Sequence, residues 1–161
     1  MNSYISHSLE ETGNIARNIL ANVANSADTP RVRNNPAATI IGLSGHLGAG
    51  KTAFVKAVAR ILGVAEEVTS PTFVIMKIYP LVGTQWKQLI HIDAYRLEKG
   101  TELAALKFAA LAQDPSNLIF VEWPEHVRDE LVQIGPYATI TFSLVSGDEH
   151  KRSIAYAAVP S

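Results

Sequence analysis

Gly45-His46-Leu47-Gly48-Ala49-Gly50-Lys51-Thr52 fits the pattern G-x-x-x-x-G-K-[ST] without a mismatch. The chemistry this spacing serves is the holding of phosphate. Glycines let a loop turn its backbone N–H groups inward toward phosphate oxygens, and a helix starting at the lysine aims its positive dipole end at the same point. On that reading Lys51 reaches the β and γ phosphates and Thr52 places a hydroxyl on Mg²⁺, a hard cation that takes oxygen ligands. A loop of this kind also needs a distant acid, at the end of an apolar strand, to hold the metal or polarise the attacking water. Two sites qualify: Leu89-Ile90-His91-Ile92 ends at Asp93, and Leu118-Ile119-Phe120-Val121 ends at Glu122. The sequence does not assign one acid to the metal and the other to water.

Several elements must position these groups. Ala38 to Leu43 is a short apolar run rich in β-branched residues and reads as a buried strand entering the loop. Lys51 to Leu62 has Phe54, Val55, Val58, Ile61 and Leu62 at helical spacing, with Gly63 as its stop. Ser8-Leu9-Glu10-Glu11 has the S-x-x-E form of a capping box and predicts a helix from about Leu9 to Val23, after a short strand at Tyr4 to His7. Further strands are predicted at Thr72 to Tyr79, Lys87 to Ile92, Leu118 to Val121, Tyr137 to Leu144 and Ser153 to Ala158. Helices are predicted at Thr101 to Ala112 and Glu125 to Val132. The polar stretch Asn25 to Ala37, with two prolines and no periodicity, reads as a flexible loop. Strands interleaved with helices indicate an α/β fold, and two late strands with no helix between them favour antiparallel additions to a mixed, mainly parallel central sheet. At 161 residues, one P-loop domain over 1–161 is expected.

Composition narrows the function classes. Hydrophobic residues make up 47% and charged residues 18%, enough apolar side chain for a packed core. Zero cysteines exclude a disulfide framework, a thiolate zinc site and a cysteine nucleophile. Fourteen Lys plus Arg against fifteen Asp plus Glu, scattered along the chain, do not ask for nucleic acid as a direct ligand. The stretch beginning at Met1 has neither the basic nor the apolar region of a signal peptide. The longest near-apolar run, Leu103 to Ala112, falls short of the roughly 20 residues a membrane helix needs, so a cytoplasmic protein with no membrane partner is expected. The five histidines, His7, His46, His91, His126 and His150, show no metal-ligand spacing, and His91 reads as a packed or hydrogen-bonded strand residue.

Four blocks together, Gly45 to Thr52, Ser70-Pro71-Thr72-Phe73, His91-Ile92-Asp93-Ala94-Tyr95-Arg96-Leu97 and Val121-Glu122-Trp123-Pro124-Glu125, resemble the TsaE (YjeE) family. The resemblance runs from about Ser8 to the last residue. It implies a P-loop NTPase-like fold that binds ATP or ADP with Mg²⁺ and hydrolyses ATP slowly on its own. It also implies service in the threonylcarbamoyladenosine modification of tRNA with the TsaD and TsaB proteins, tRNA being reached only through that complex. By motif match, Gly45, His46, Leu47, Gly48, Ala49, Gly50, Lys51, Thr52 and Ala53 would line the nucleotide phosphates. Lys51, Asp93 and Glu122 would serve turnover, and Thr52, Asp93 and Glu122 the metal. Thr12 matches a position the family places near the adenine, and Ser70 to Phe73 a loop beside the nucleotide.

The chain departs from the family pattern at His46, Ala53 and Ala94, where Asp, a hydroxyl residue and Leu are usual. Position 46 offers mainly its backbone to the cradle, so nucleotide binding is expected to survive the change. Two other function classes stay open: a nucleotide-gated, non-catalytic interaction module, and a small-molecule kinase, for which only Arg31-Val32-Arg33 offers a lid loop. GTP is disfavoured because no [NT]-K-x-D guanine reader or D-x-x-G turn is present.

Overall fold

The computed structural model describes residues 2–25, 31–32, 35–71, 74–98 and 102–158. Among the described residues nine strands run in chain order: β1 (Asn2–Ser6), β2 (Arg31–Val32), β3 (Asn35–Pro36), β4 (Thr39–Ser44), β5 (Met76–Pro80), β6 (Gln88–Asp93), β7 (Asn117–Glu122), β8 (Ala138–Val145) and β9 (Asp148–Ala157). The helices are α1 (Leu9–Asn25), α2 (Lys51–Ile61), α3 (Glu102–Ala105), α4 (Phe108–Gln113) and α5 (Arg128–Ile134), with 3-10 turns at Ala94–Arg96 and Pro124–Val127.

Seven strands form one sheet in the order β1-β9-β8-β4-β7-β6-β5. Its core β8-β4-β7-β6 is parallel, while β9 and β1 on one side and β5 on the other pair antiparallel. The expected mixed sheet with a parallel core and antiparallel additions is therefore present. Parallel strands covered on both faces read as unbroken apolar runs, which is why β4, β6 and β7 do so. Alternation sorts their side chains between two cores. Ile41, Leu43, Leu89, Leu118 and Phe120 pack with Ile19 of α1 and Phe54 and Val58 of α2. On the other face Ile40, Ile90, Ile92, Ile119 and Val121 pack with Leu103, Phe108 and Leu131. Continuing the same parity, His91, Asp93 and Glu122 emerge on the face covered by α2.

The capping box forms with a shift. The Ser8 hydroxyl accepts from the Glu11 N–H at 3.1 Å, while the Glu11 carboxylate accepts from the N–H of His7, one residue earlier than the cap, at 2.7 Å.

Three expectations need correcting. The helix predicted over Thr101 to Ala112 is two short ones, broken at Lys107, which adopts the left-handed region with φ 55°. On one straight helix Leu103 and Phe108 would point about 140° apart, and the break lets both face the sheet, where each is 1% exposed. The strand expected from Thr72 starts only at Met76, because Val74 and Ile75 donate their N–H groups to the Pro71 carbonyl and Ile75 turns at φ 66°. Within the stretch read as a loop from Asn25 to Ala37, α1 continues to Asn25, and Arg31 and Val32 pair antiparallel with Pro36 and Asn35. Residues 26–30 and 33–34 of that stretch lie outside the described residues, as do Thr72, Phe73 and Thr101.

Candidate nucleotide site

The central strand β4 delivers the chain to Gly45, and the loop from Gly45 to Gly50 passes it into α2. Gly45 has φ 144°, and a Cβ there would stand 2.5 Å from the backbone oxygen of Phe142 on β8, so neither the conformation nor the space admits a side chain. Gly50 precedes α2 at φ 106° with no side-chain cap, so no side chain occupies the first amide groups of the helix, the groups that bind anions at a helix start.

Lys51 opens α2 and is 4% exposed. Its Nζ donates to the Gly45 carbonyl at 2.6 Å and the His46 carbonyl at 3.0 Å. The same nitrogen lies 4.0 Å from the centroid of the Trp123 ring, a cation–π arrangement. Burial lowers the pKa of this ammonium, and the charges of Glu122, Glu125 and Asp93 oppose that shift.

Thr52 donates its hydroxyl to Glu122 Oε1 at 2.7 Å, and His91 Nε2 lies 2.8 Å from the same oxygen. Asp93 and Glu122 are register partners at the ends of parallel β6 and β7, 5% and 3% exposed. The structure thus brings two carboxylates and a hydroxyl from three separate elements to one end of the sheet. Asp93 Oδ1 also accepts from the Tyr95 N–H at 3.0 Å, capping the 3-10 turn that follows.

A cavity of about 270 Å³ is lined by Gly48, Gly50, Lys51, Thr52, Asp93 and Glu122, together with Ser70 and Trp123. A second, of about 340 Å³, shares Gly48, Ala49, Gly50 and Ala53 with the first and extends past Thr12 to His150 and Arg152 of β9. Thr12 is fixed there: its hydroxyl lies 2.7 Å from that of Ser6 and 3.0 Å from the Ser8 carbonyl oxygen. Leu47 and Ala49 line the first cavity, whereas Gly45 and His46 line neither and meet the site through the carbonyls that hold Lys51. Ser70 reaches the first cavity, and the Thr72 and Phe73 positions of its block lie outside the described residues.

Three features of the site go beyond its sequence motifs. His91 meets Glu122, although the alternation H-x-D already put His91 on the same strand face as Asp93. Trp123 takes φ 59° and donates its N–H to the Leu43 carbonyl at 3.1 Å, turning the chain directly after Glu122 and laying its ring beside Lys51. Gly42 admits that turn, since a Cβ there would come within 3.0 Å of Pro124. Glu125 accepts from the Ser44 hydroxyl at 3.2 Å, tying the turn to the end of β4.

A glycine loop joining the central strand of a parallel-cored sheet to a helix, with acids at the ends of the neighbouring strands, defines a P-loop protein of the α/β class. The family profile described as "Threonylcarbamoyl adenosine biosynthesis protein TsaE" matches residues 6–154. The chain belongs to the TsaE family. It is 37% identical to the Treponema pallidum tRNA threonylcarbamoyladenosine biosynthesis protein TsaE over 122 residues, 74% of this chain and 82% of that one. With the protein of the same name from Streptomyces coelicolor it shares 42% over 98 residues, 60% of this chain and 64% of that one, just under two thirds of the relative's length. The crystal structure of Bacillus subtilis YdiB superposes with a TM-score of 0.67 at 27% identity, covering 99% of this chain and 86% of that one.

Proposed function

We propose that this chain is a Mg²⁺-dependent ATP-binding and ATP-hydrolysing protein of the cytoplasm, weak alone and stimulated by partners. Those partners are the TsaD and TsaB proteins, with which it serves the threonylcarbamoyladenosine modification of tRNA. The observation that carries the reading is the convergence of Lys51 and Thr52, from the loop and helix, with Glu122 and Asp93, from the ends of β7 and β6, around one cavity. Family membership supports the pathway. Among the described residues no helix is long and apolar enough to cross a membrane.

The donor set fits Mg²⁺. Among the described residues no group of three or more His, Cys, Asp or Glu side chains is placed to hold a metal. A cation that keeps its waters and uses one or two carboxylates plus phosphate oxygens needs no such cage. Thr52, Glu122 and Asp93 supply hard oxygens, and Mg²⁺ bound there would neutralise charge on the phosphates of ATP. In this reading Lys51 exchanges its bonds to the Gly45 and His46 carbonyls for phosphate oxygens, and the open amides at the start of α2 hold the same anion. The acid that does not meet the metal orients water, and the Trp123 turn keeps bulk solvent from Lys51. The 340 Å³ cavity beside Thr12 is the space offered to the nucleoside.

The decisive assay is steady-state ATP hydrolysis with Mg²⁺, alone and with the TsaD–TsaB pair from the same source. A low rate that rises with the pair is the expected result. An unchanged rate with nucleotide binding intact overturns the partner assignment, and turnover retained by Lys51→Ala overturns the role given to the lysine.

A further inference from the structure

His91 is the most completely buried ionisable side chain near the site, 0% exposed, and the function proposed above gives it no task. Its Nε2 lies 2.8 Å from Glu122 Oε1, while its Nδ1 is buried with no hydrogen-bond partner among the described residues. A proton on Nε2 suits this geometry, because Nε2 then donates to the carboxylate oxygen, whereas a ring carrying its proton on Nδ1 would bury a donor with no acceptor among the described residues and set two lone pairs against each other. His91 therefore donates to the carboxylate, and the carboxylate oxygen it meets is the one that already accepts from Thr52. The two donors differ in their freedom. Thr52 has two uses in the proposed function, Glu122 and the metal, whereas His91 faces Glu122 alone from the interior of β6.

We propose that His91 is a positioning residue for Glu122: through its Nε2–H it holds the carboxylate in its working orientation when the Thr52 hydroxyl turns to another ligand. The inference rests on the ATPase reading above. It assigns His91 no contact with nucleotide, so its loss acts on turnover and spares affinity.

The test uses the full chain carrying His91→Phe, which keeps a ring in the core without the donor. His91→Gln places an amide nitrogen near the Nε2 position, and His91→Asn reaches only the Nδ1 position. His91→Phe is expected to lower kcat by about 10- to 100-fold, the range for groups that orient a ligand from behind. The affinity for fluorescently labelled ADP should stay within about threefold. His91→Gln should recover most of the rate, and His91→Asn should not. Equal behaviour of Gln and Asn, or a full rate in His91→Phe, overturns the proposal. If His91→Phe fails to fold, the Gln and Asn pair decides.

A readout free of activity is the nitrogen-15 NMR of the wild-type ring. A protonated Nε2 and bare Nδ1, with the Nε2–H signal moved by Glu122→Gln, are expected, and a proton on Nδ1 overturns the proposal. Glu122→Gln also separates the two readings. Retained turnover in that variant sinks the role of Glu122 itself, whereas lost turnover there with full turnover in His91→Phe sinks only the role of His91.

Discussion

Thr52 and Glu122, 70 positions apart in the chain, share a hydrogen bond of 2.7 Å that joins the first turn of α2 to the end of β7. This contact links the phosphate loop to the acid that follows an apolar strand, and it exists because β4 and β7 lie side by side, with Leu43 opposite Glu122 in register.

Thr52→Val keeps the shape of the side chain and removes that donor. A hydrogen bond to a charged group contributes about 1.5 to 3 kcal/mol, partly retained here because His91 still meets the same oxygen. We expect a loss of about 1 kcal/mol in urea unfolding, and a much larger rise in the Mg²⁺ concentration needed for half-maximal nucleotide binding. Unchanged Mg²⁺ dependence would count against Thr52 as a metal ligand.

Gly45 and Gly48 both have positive φ, but only Gly45 is crowded: a Cβ there meets the Phe142 oxygen at 2.5 Å, whereas at Gly48 nothing lies within 4 Å. Gly48→Ala is expected to lower stability by about 1 to 2 kcal/mol from backbone strain alone. Gly45→Ala should cost more, because the loop must also move from β8. Chemical denaturation of the two variants measures the difference, and a milder effect at Gly45 would contradict the packing of the loop on β8.

Trp123 holds its ring 4.0 Å from Lys51 Nζ. A nucleotide phosphate that draws Lys51 away removes this cation–π contact, so Trp123 emission should change on titration with ADP and Mg²⁺. Trp86, buried and donating to the Thr39 hydroxyl at 3.3 Å, is replaced by Phe to leave Trp123 as the single reporter. A flat titration in a variant that binds ADP calorimetrically would show that Lys51 keeps its place.

Burial raises the Tyr156 phenol above the ordinary value of 10.0, with Tyr4 adding to the shift. Burial also raises Tyr79. The folded state therefore binds these protons more tightly than the unfolded chain does. Their stabilising contribution is fully present below pH 10.0 and is lost as pH climbs through the raised values. Phenolate absorbance should develop late in the folded chain, and Tyr156→Phe should remove part of that late component without changing the earlier part. An identical late component in the variant would mean that Tyr156 is not sheltered.

The sequence by itself determined the local features. Glycines and a lysine at fixed spacing specify a loop, apolar runs specify buried strands, and an acid directly after such a run stands at the strand's end. Each of these depends on residues a few positions apart, so short-range sterics and alternation suffice to read them. Tertiary structure alone decided what those features meet. That Glu122 Oε1 serves both Thr52 and His91, 70 and 31 positions away, follows from strand order and register, which no local pattern encodes. The break at Lys107 and the left-handed φ of Trp123 are decided by tertiary structure for the same reason. Both conformations are locally unfavourable for residues with a Cβ, and they persist because distant partners, the second apolar core for Phe108 and the Leu43 carbonyl for Trp123, hold them in place.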